Sequence, residues 1–530
     1  MGVRRFAAAI GLAGALLAPA APAHAAPSAA EAARFLAQAT FGPTEAEIAN
    51  VQRMGYEGWL DAQFSRSTTL HRPELQGLLG LGLTDPDQAQ RQEIWWRHAV
   101  TAPDQLRQRV GFALSEILVV SSLNDQLGGR PLQVAEFYDT LLRGAFGNYR
   151  QLLEQVTLAP AMGLYLSMIR NDKPDAASGR RPDENFAREV MQLFSIGLWQ
   201  LNADGSDRLD GSGNRIPTYD QATVENYARA YTGWTWADAA KWGDNGTSYA
   251  PMKAFEERHD TDAKTLLDGR ETASGLTAAQ DLKIALDSIF QHPNAGPFIA
   301  RRLIQRLVSS NPSPDYIRRI AQVFADNGAG VRGDLKALVH AILLDPEART
   351  PAGNAPGKLR EPLLRLSAVW RAFSASAQNG KFAYREASNE LGQAAQAAPS
   401  VFNYFQPDFR PSGRIADAGL RAPEFQIQTE SHGMSIVNTM VRFILKQYEG
   451  EPNQQAGTIT IKIAREQALA NNPGALADHL GLLLLNGRMP AAMRQALISH
   501  LESIDVADTR QRAVNAIFLV ATSPEFAVLQ

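Results

Sequence analysis

From Ser28 onward, apolar positions recur at three- and four-residue spacing along most of the chain, which predicts a mainly α-helical protein. Leu106 to Val120 (LRQRVGFALSEILVV), Ala295 to Leu307 and Arg332 to Leu344 show the spacing most clearly, and Pro346 closes the last of them. Thr44-Glu45-Ala46-Glu47 has the residue types of a capping box, with Gly55 placed to end the helix it opens. Strand patterns are scarce. Gly457 to Ile463 (GTITIKI) is the best of them, and it is short.

Two further amphipathic segments carry a shared device. In Asp183 to Phe194, residues Phe186, Val190, Leu193 and Phe194 fall on one face, with Asn185, Glu189 and Gln192 in a polar stripe beside it. Glu184 and Arg188 are i,i+4 partners there. The second helix begins near Thr218-Tyr219-Asp220-Gln221, buries Val224, Ala228 and Tyr231, and displays Glu225 and Arg229. Glu184-Asn185-Phe186-Ala187-Arg188 is echoed by Glu225-Asn226-Tyr227-Ala228-Arg229, too short a match to define a repeat architecture. Three segments read as loops: Asn171 to Pro182, Asn202 to Pro217 and Thr235 to Ala254. Long loops of this kind often line sites. Weaker breaks around Thr350 to Gly357 and Pro407 to Gly419 divide the chain into a helical main domain, 26–350, and a C-terminal helical part, 351–530, packed on it.

The first 25 residues stand apart. Arg4 and Arg5 precede an apolar run, Phe6 to Ala18, stopped by Pro19 and followed by Ala23-His24-Ala25, which predicts a signal peptide cleaved before Ala26. General secretion is preferred to the twin-arginine route, because no Ser or Thr precedes the arginine pair. The expected location is therefore periplasmic or extracellular, with no membrane span in the mature chain. Cysteine is absent, which removes disulfides, thiolate metal sites and a cysteine nucleophile together. With 52 basic and 55 acidic residues the net charge is −3, and no charge block favours nucleic acid or an anionic membrane as partner.

Candidate chemistry concentrates on the paired helices. Two solvated salt bridges on ordinary helices are one account of Glu184/Arg188 and Glu225/Arg229, each contributing well under about 1 kcal/mol. The sharper account has the glutamates converging at a cleft, where carboxylates in unlike environments split into acid and base. Glu184 or Glu189 would then be one catalytic group and Glu225 the other. Asn185, Arg188 and Arg229 would bind substrate, and Trp234, Trp236 and Trp242 would supply stacking faces for sugars. His259-Asp260 is a further candidate for proton transfer, each residue needing a partner from elsewhere. Asn202, Asp204, Asp207 and Asp210, with Gly205 among them, resemble part of a calcium loop without its terminal bidentate glutamate. No zinc pattern, nucleophile elbow, phosphate loop or dinucleotide fingerprint is present.

The chain resembles the bacterial family catalogued as domain of unknown function 1800 (DUF-1800), from Ala33 almost to Gln530. The resemblance lies in Phe35 to Thr44, Gln108 to Ser121, Ala145 to Asn171, Arg181 to Leu198 (RPDENFAREVMQLFSIGL) and Tyr219 to Trp234. It continues in His259-Asp260 with Lys264, Pro293 to Leu307, Pro399 to Phe409, and Ser523-Pro524-Glu525. It implies an exported helical protein whose relatives are often encoded beside a secreted sulfatase-like family, but no established activity. The expectation is an enzyme, hydrolase or lyase, acting on an extracellular or envelope polysaccharide, with no obligatory cofactor. The alternatives are a non-catalytic envelope scaffold or partner of a co-exported sulfatase-like protein, and a calcium-stabilised binding protein.

Overall fold

A computed structural model describes residues 26–81, 86–350, 357–452 and 454–529. The expected signal peptide, and most of the break expected at Thr350 to Gly357, lie outside the described residues. The protein is mainly α-helical, and among the described residues the only strands beyond single bridges form two two-residue pairs. In one, β1 (Trp234–Thr235) pairs antiparallel with β2 (Lys253–Ala254). In the other, β3 (Lys358–Leu359) pairs with β4 (Val528–Leu529), bringing the C-terminal end back beside the segment that follows residue 357.

Helix Ala295–Leu307 has the bounds its periodicity predicts. The helix opened by Thr44 runs from Glu45 to Phe64, and Gly55 kinks it at φ 72° instead of ending it. Leu106 to Val120 is helical only as Gln105–Ser115, every residue of which is buried. A Cβ on its Gly111 would come within 2.5 Å of Leu142 Cδ2, so a larger residue there must displace the buried Leu142 side chain of the neighbouring helix. The strand expected at Gly457 to Ile463 is reduced to single bridges, Ser376 to Thr460 and Tyr448 to Ile461. Its alternation is real, since Ile459, Ile461 and Ile463 are buried, but no partner strand runs alongside.

One hydrophobic core runs from Ala32 to Phe526, so residues on both sides of position 350 share it. Helix Pro362–Ala372 is held to the N-terminal region through Ser367 Oγ on Phe41 O (3.1 Å) and Arg371, which donates to Gly42 O (2.7 Å) and Val100 O (2.8 Å). A buried arginine satisfied by carbonyls in this way avoids the penalty of an unpaired buried charge. No helix among the described residues is long and apolar enough to cross a membrane.

Candidate site at the paired glutamate helices

The first signature helix spans Asn185–Gln192, with Glu184 at its N-cap position, and buries Phe186 and Val190. The second spans Gln221–Ala230 and buries Val224, Tyr227, Ala228 and Ala230. Its cap is Asp220, whose carboxylate accepts from Thr223 N at 2.8 Å, and not Thr218 as the capping-box pattern suggests. The buried faces meet, with Phe186 edge-on to Tyr231 at 5.1 Å. The polar residues therefore converge. Arg188 Nη2 donates to Glu184 Oε2 (2.9 Å) and Gln221 Oε1 (3.0 Å). Gln221 Nε2 donates to Glu184 Oε2 (2.9 Å) and to Glu225 Oε1 (3.4 Å). Gln221 thus bridges the glutamates of the two helices. Asn185 is exposed beside them.

Glu189 corrects the helical-wheel expectation. It is 7 % exposed and not part of a solvated stripe, and its Oε2 has no hydrogen-bond partner among the described residues. Burial raises its carboxyl above the usual range, against the opposing pull of Arg188. Tyr165 and Tyr219 stand close enough to feel its charge. Both phenols are pushed up to about 12, chiefly by burial and then by Glu189. The Tyr219 hydroxyl and Thr218 Oγ1 are likewise buried without a partner. A buried carboxyl with raised affinity for its proton thus lies on the same helix that opens with Glu184.

Arg229 does not pair with Glu225. It turns to Asp260 in a bidentate pair, Nε to Oδ2 at 2.8 Å and Nη2 to Oδ1 at 3.1 Å. Burial alone would raise the Asp260 carboxyl, but Arg229, the Asp262 amide and Lys264 together hold it below the usual range. His259 and Asp260 each find a partner elsewhere. His259 Nδ1 faces Thr232 O at 3.1 Å and Nε2 faces Asp281 Oδ2 at 3.0 Å. Lys264 Nζ, 2 % exposed as a residue, donates to Asp260 O (2.7 Å), Asp262 O (2.8 Å) and Asp281 Oδ2 (2.6 Å). The result is a chain of alternating charge, Arg229, Asp260, Lys264 and Asp281, that ends on the His259 ring. Its last three side chains are sealed from solvent, so they fasten the 259–264 loop to helix Ala278–Gln291, while Arg229 at the other end is partly exposed.

The tryptophans also divide. Trp234 (5 % exposed) and Trp236 (1 %) are core residues, which removes the expected stacking faces. Trp242 alone is partly exposed, beside Phe255 and under Arg258. Asn202, Asp204, Asp207 and Asp210 lie on an arm from Trp199 to Pro217 closed by single bridges. Asp204 accepts from Ser206 N (2.9 Å), and Asp210 from Ser212 N (2.8 Å) and Asn214 N (2.9 Å), so these carboxylates hold their own turns. Among the described residues no three histidines, aspartates or glutamates could hold a metal ion.

Asp281 belongs to no motif of the sequence, although a signal for it is present. It shares a stripe with Ala278, Leu282, Ala285 and Ile289, and a lone charge in an apolar register marks a buried partner. Tyr165 and Gln221 carry no comparable signal, because their place depends on which helices meet.

Fold and site together define a mainly helical protein with a carboxylate-lined seam between two helices. The chain belongs to the DUF1800 family, described as "Protein of unknown function (DUF1800)", whose model matches residues 34–528. It matches no curated protein and no solved structure.

Proposed function

We propose that the protein is an exported enzyme, a hydrolase or lyase, cleaving an extracellular or envelope polysaccharide at the seam between the two glutamate helices. The observation that supports this reading most is the contrast between Glu189, buried with a raised proton affinity, and Glu225, exposed on the facing helix. Carboxyls in unlike environments are what acid and base roles require. Glu189 would donate the proton and Glu225 or Glu184 would act as base or nucleophile. Arg188 would steady the developing charge, with Tyr165 and Tyr219 flanking the donor. Mass spectrometry of polysaccharide panels incubated with the mature chain tests this. Fragments from the native protein but not from folded Glu189→Gln or Glu225→Gln support it, and fragments from both variants remove the assignment.

A non-catalytic role, as envelope scaffold or partner of a co-exported sulfatase-like protein, draws support from a different observation. Glu184, Arg188, Gln221 and Glu225 satisfy one another and so tie the two helices together. On that reading Glu184→Gln and Glu225→Gln lower the melting temperature, and any functional loss follows the loss of fold.

A further inference from the structure

A second site lies far along the chain from the glutamate helices, where the last residues return to the main body. Helix Pro473–Leu485 ends at Asn486, in left-handed conformation at φ 54°, followed by Gly487 at φ 76°. Two such residues in succession turn the chain sharply, and Gly487 has no room for a side chain, since a Cβ would stand 2.6 Å from Ala30 Cβ. This turn places Asn486 and Arg488 on the wall of a cavity of about 290 Å³. Arg360 and Glu525 face it as well, and Leu485 and Val528 supply apolar wall. Glu525 belongs to the Ser523-Pro524-Glu525 motif, which the glutamate helices leave without a role.

The charges do not balance. Arg360 is buried, stacks over Phe526 at 5.0 Å, and has only a long bond from Nη2 to Leu484 O at 3.4 Å. Among the described residues no carboxylate pairs with it. The charged group acting on it is Arg365, a second buried cation, so burial and that neighbour both lower its hold on the proton. Arg488 adds an exposed guanidinium, while Glu525 is the one carboxylate among the described lining residues. Among the described lining residues two cations stand against one anion, which leaves an excess of positive charge facing a space large enough for a small molecule. Asn486 is 4 % exposed and its Oδ1 has no partner among the described residues, so no bond at that atom fixes the carboxamide and it can turn its Nδ2 donor to an anion on the same wall. An uncompensated buried guanidinium beside a cavity is costly unless a ligand supplies the opposite charge.

We propose that this cavity binds a small organic monoanion, a carboxylate on a short apolar body, with the head between Arg360 and Arg488 and the body against Leu485 and Val528. The guanidinium fork matches a carboxylate, and Glu525 disfavours a ligand of higher negative charge. The test is calorimetric and thermal-shift titration of the whole mature chain with butyrate, acetate and inorganic phosphate, up to about 50 mM. Butyrate is expected to bind saturably and raise the melting temperature, acetate to bind more weakly, and phosphate weakest. Arg488→Gln, a change at an exposed residue, weakens butyrate binding about tenfold, the loss of one charge-assisted contact, and leaves the ligand-free melting temperature unchanged. Asn486→Gly keeps the left-handed turn and weakens binding through loss of the carboxamide. No saturable binding of any probe, equal binding by Arg488→Gln, or phosphate binding tighter than butyrate would each overturn the proposal.

Discussion

Replacing Lys264 by methionine isolates what the buried charge chain contributes. The ammonium is fully used, with all three of its donors bonded at 2.6 to 2.8 Å. The substitution keeps the length of the side chain but leaves two loop carbonyls and the Asp281 carboxylate without their cation. Asp281 is 1 % exposed and its Oδ1 already lacks a partner, so only His259 would remain to it. Removing one member of a buried ion pair costs about 3–5 kcal/mol. A chain of about 500 residues unfolds with an entropy near 1 kcal/mol per degree at its midpoint, so the melting temperature should fall by about 3–5 °C. Differential scanning calorimetry reads this directly. Combining Lys264→Met with Asp281→Asn removes the stranded charge, so the double variant should lose less than the sum of the two single losses, by at least about 1 kcal/mol. Additive losses, or a single-variant loss below about 1 °C, would refute the view that these residues act as one neutralised unit.

Other consequences follow from buried groups elsewhere. Burial raises the Asp139 carboxyl to about 7, against the opposing pull of the His71 and Arg72 amides that bond it. A carboxyl that keeps its proton better in the folded state favours folding most below its unfolded pKa. Stability therefore declines as pH rises from about 4 to about 7, by up to about 4 kcal/mol, and Asp139→Asn should flatten that slope in denaturant titrations. Asp260 has the opposite sign. Its depressed carboxyl contributes stability that is present above the ordinary carboxylate range and is lost as pH falls through its folded value, and Arg229→Gln should diminish that acid loss. Gly111→Ala should cost about 1–3 kcal/mol by pushing on Leu142, measured as a lowered melting temperature. Chelator treatment should leave the melting temperature unchanged, because Asp204 and Asp210 are engaged by their own turns. A rise with millimolar calcium would contradict that.

The helical character of the chain and many of its helices were legible from apolar spacing alone, as Ala295–Leu307 demonstrates. That spacing says which residues face inward but not what they meet. Glu189 read as polar because its neighbours Asn185 and Gln192 are, yet its turn of helix lies under Tyr165 and Tyr219. The same limit applies to Arg229, whose i,i+4 partner Glu225 is the nearest carboxylate in sequence. Asp260 arrives from a loop 31 residues away and offers a bidentate, buried partner instead. Trp234 and Trp236 illustrate it in reverse, since polar neighbours in the chain disguised two core side chains. The convergence of the two glutamate helices depends on tertiary packing, and Gln221, which joins them, has no distinguishing pattern around it.

The most direct measurement of the central claim is turnover by the mature chain, from Ala26, against envelope and extracellular polysaccharides, with Glu189→Gln and Glu225→Gln run beside it and all three shown to be folded. The account predicts new fragments from the native protein and at least a hundredfold less from either variant, the scale typical of removing a general acid or base. Equal fragment release by the variants, or none by the native protein, would contradict it.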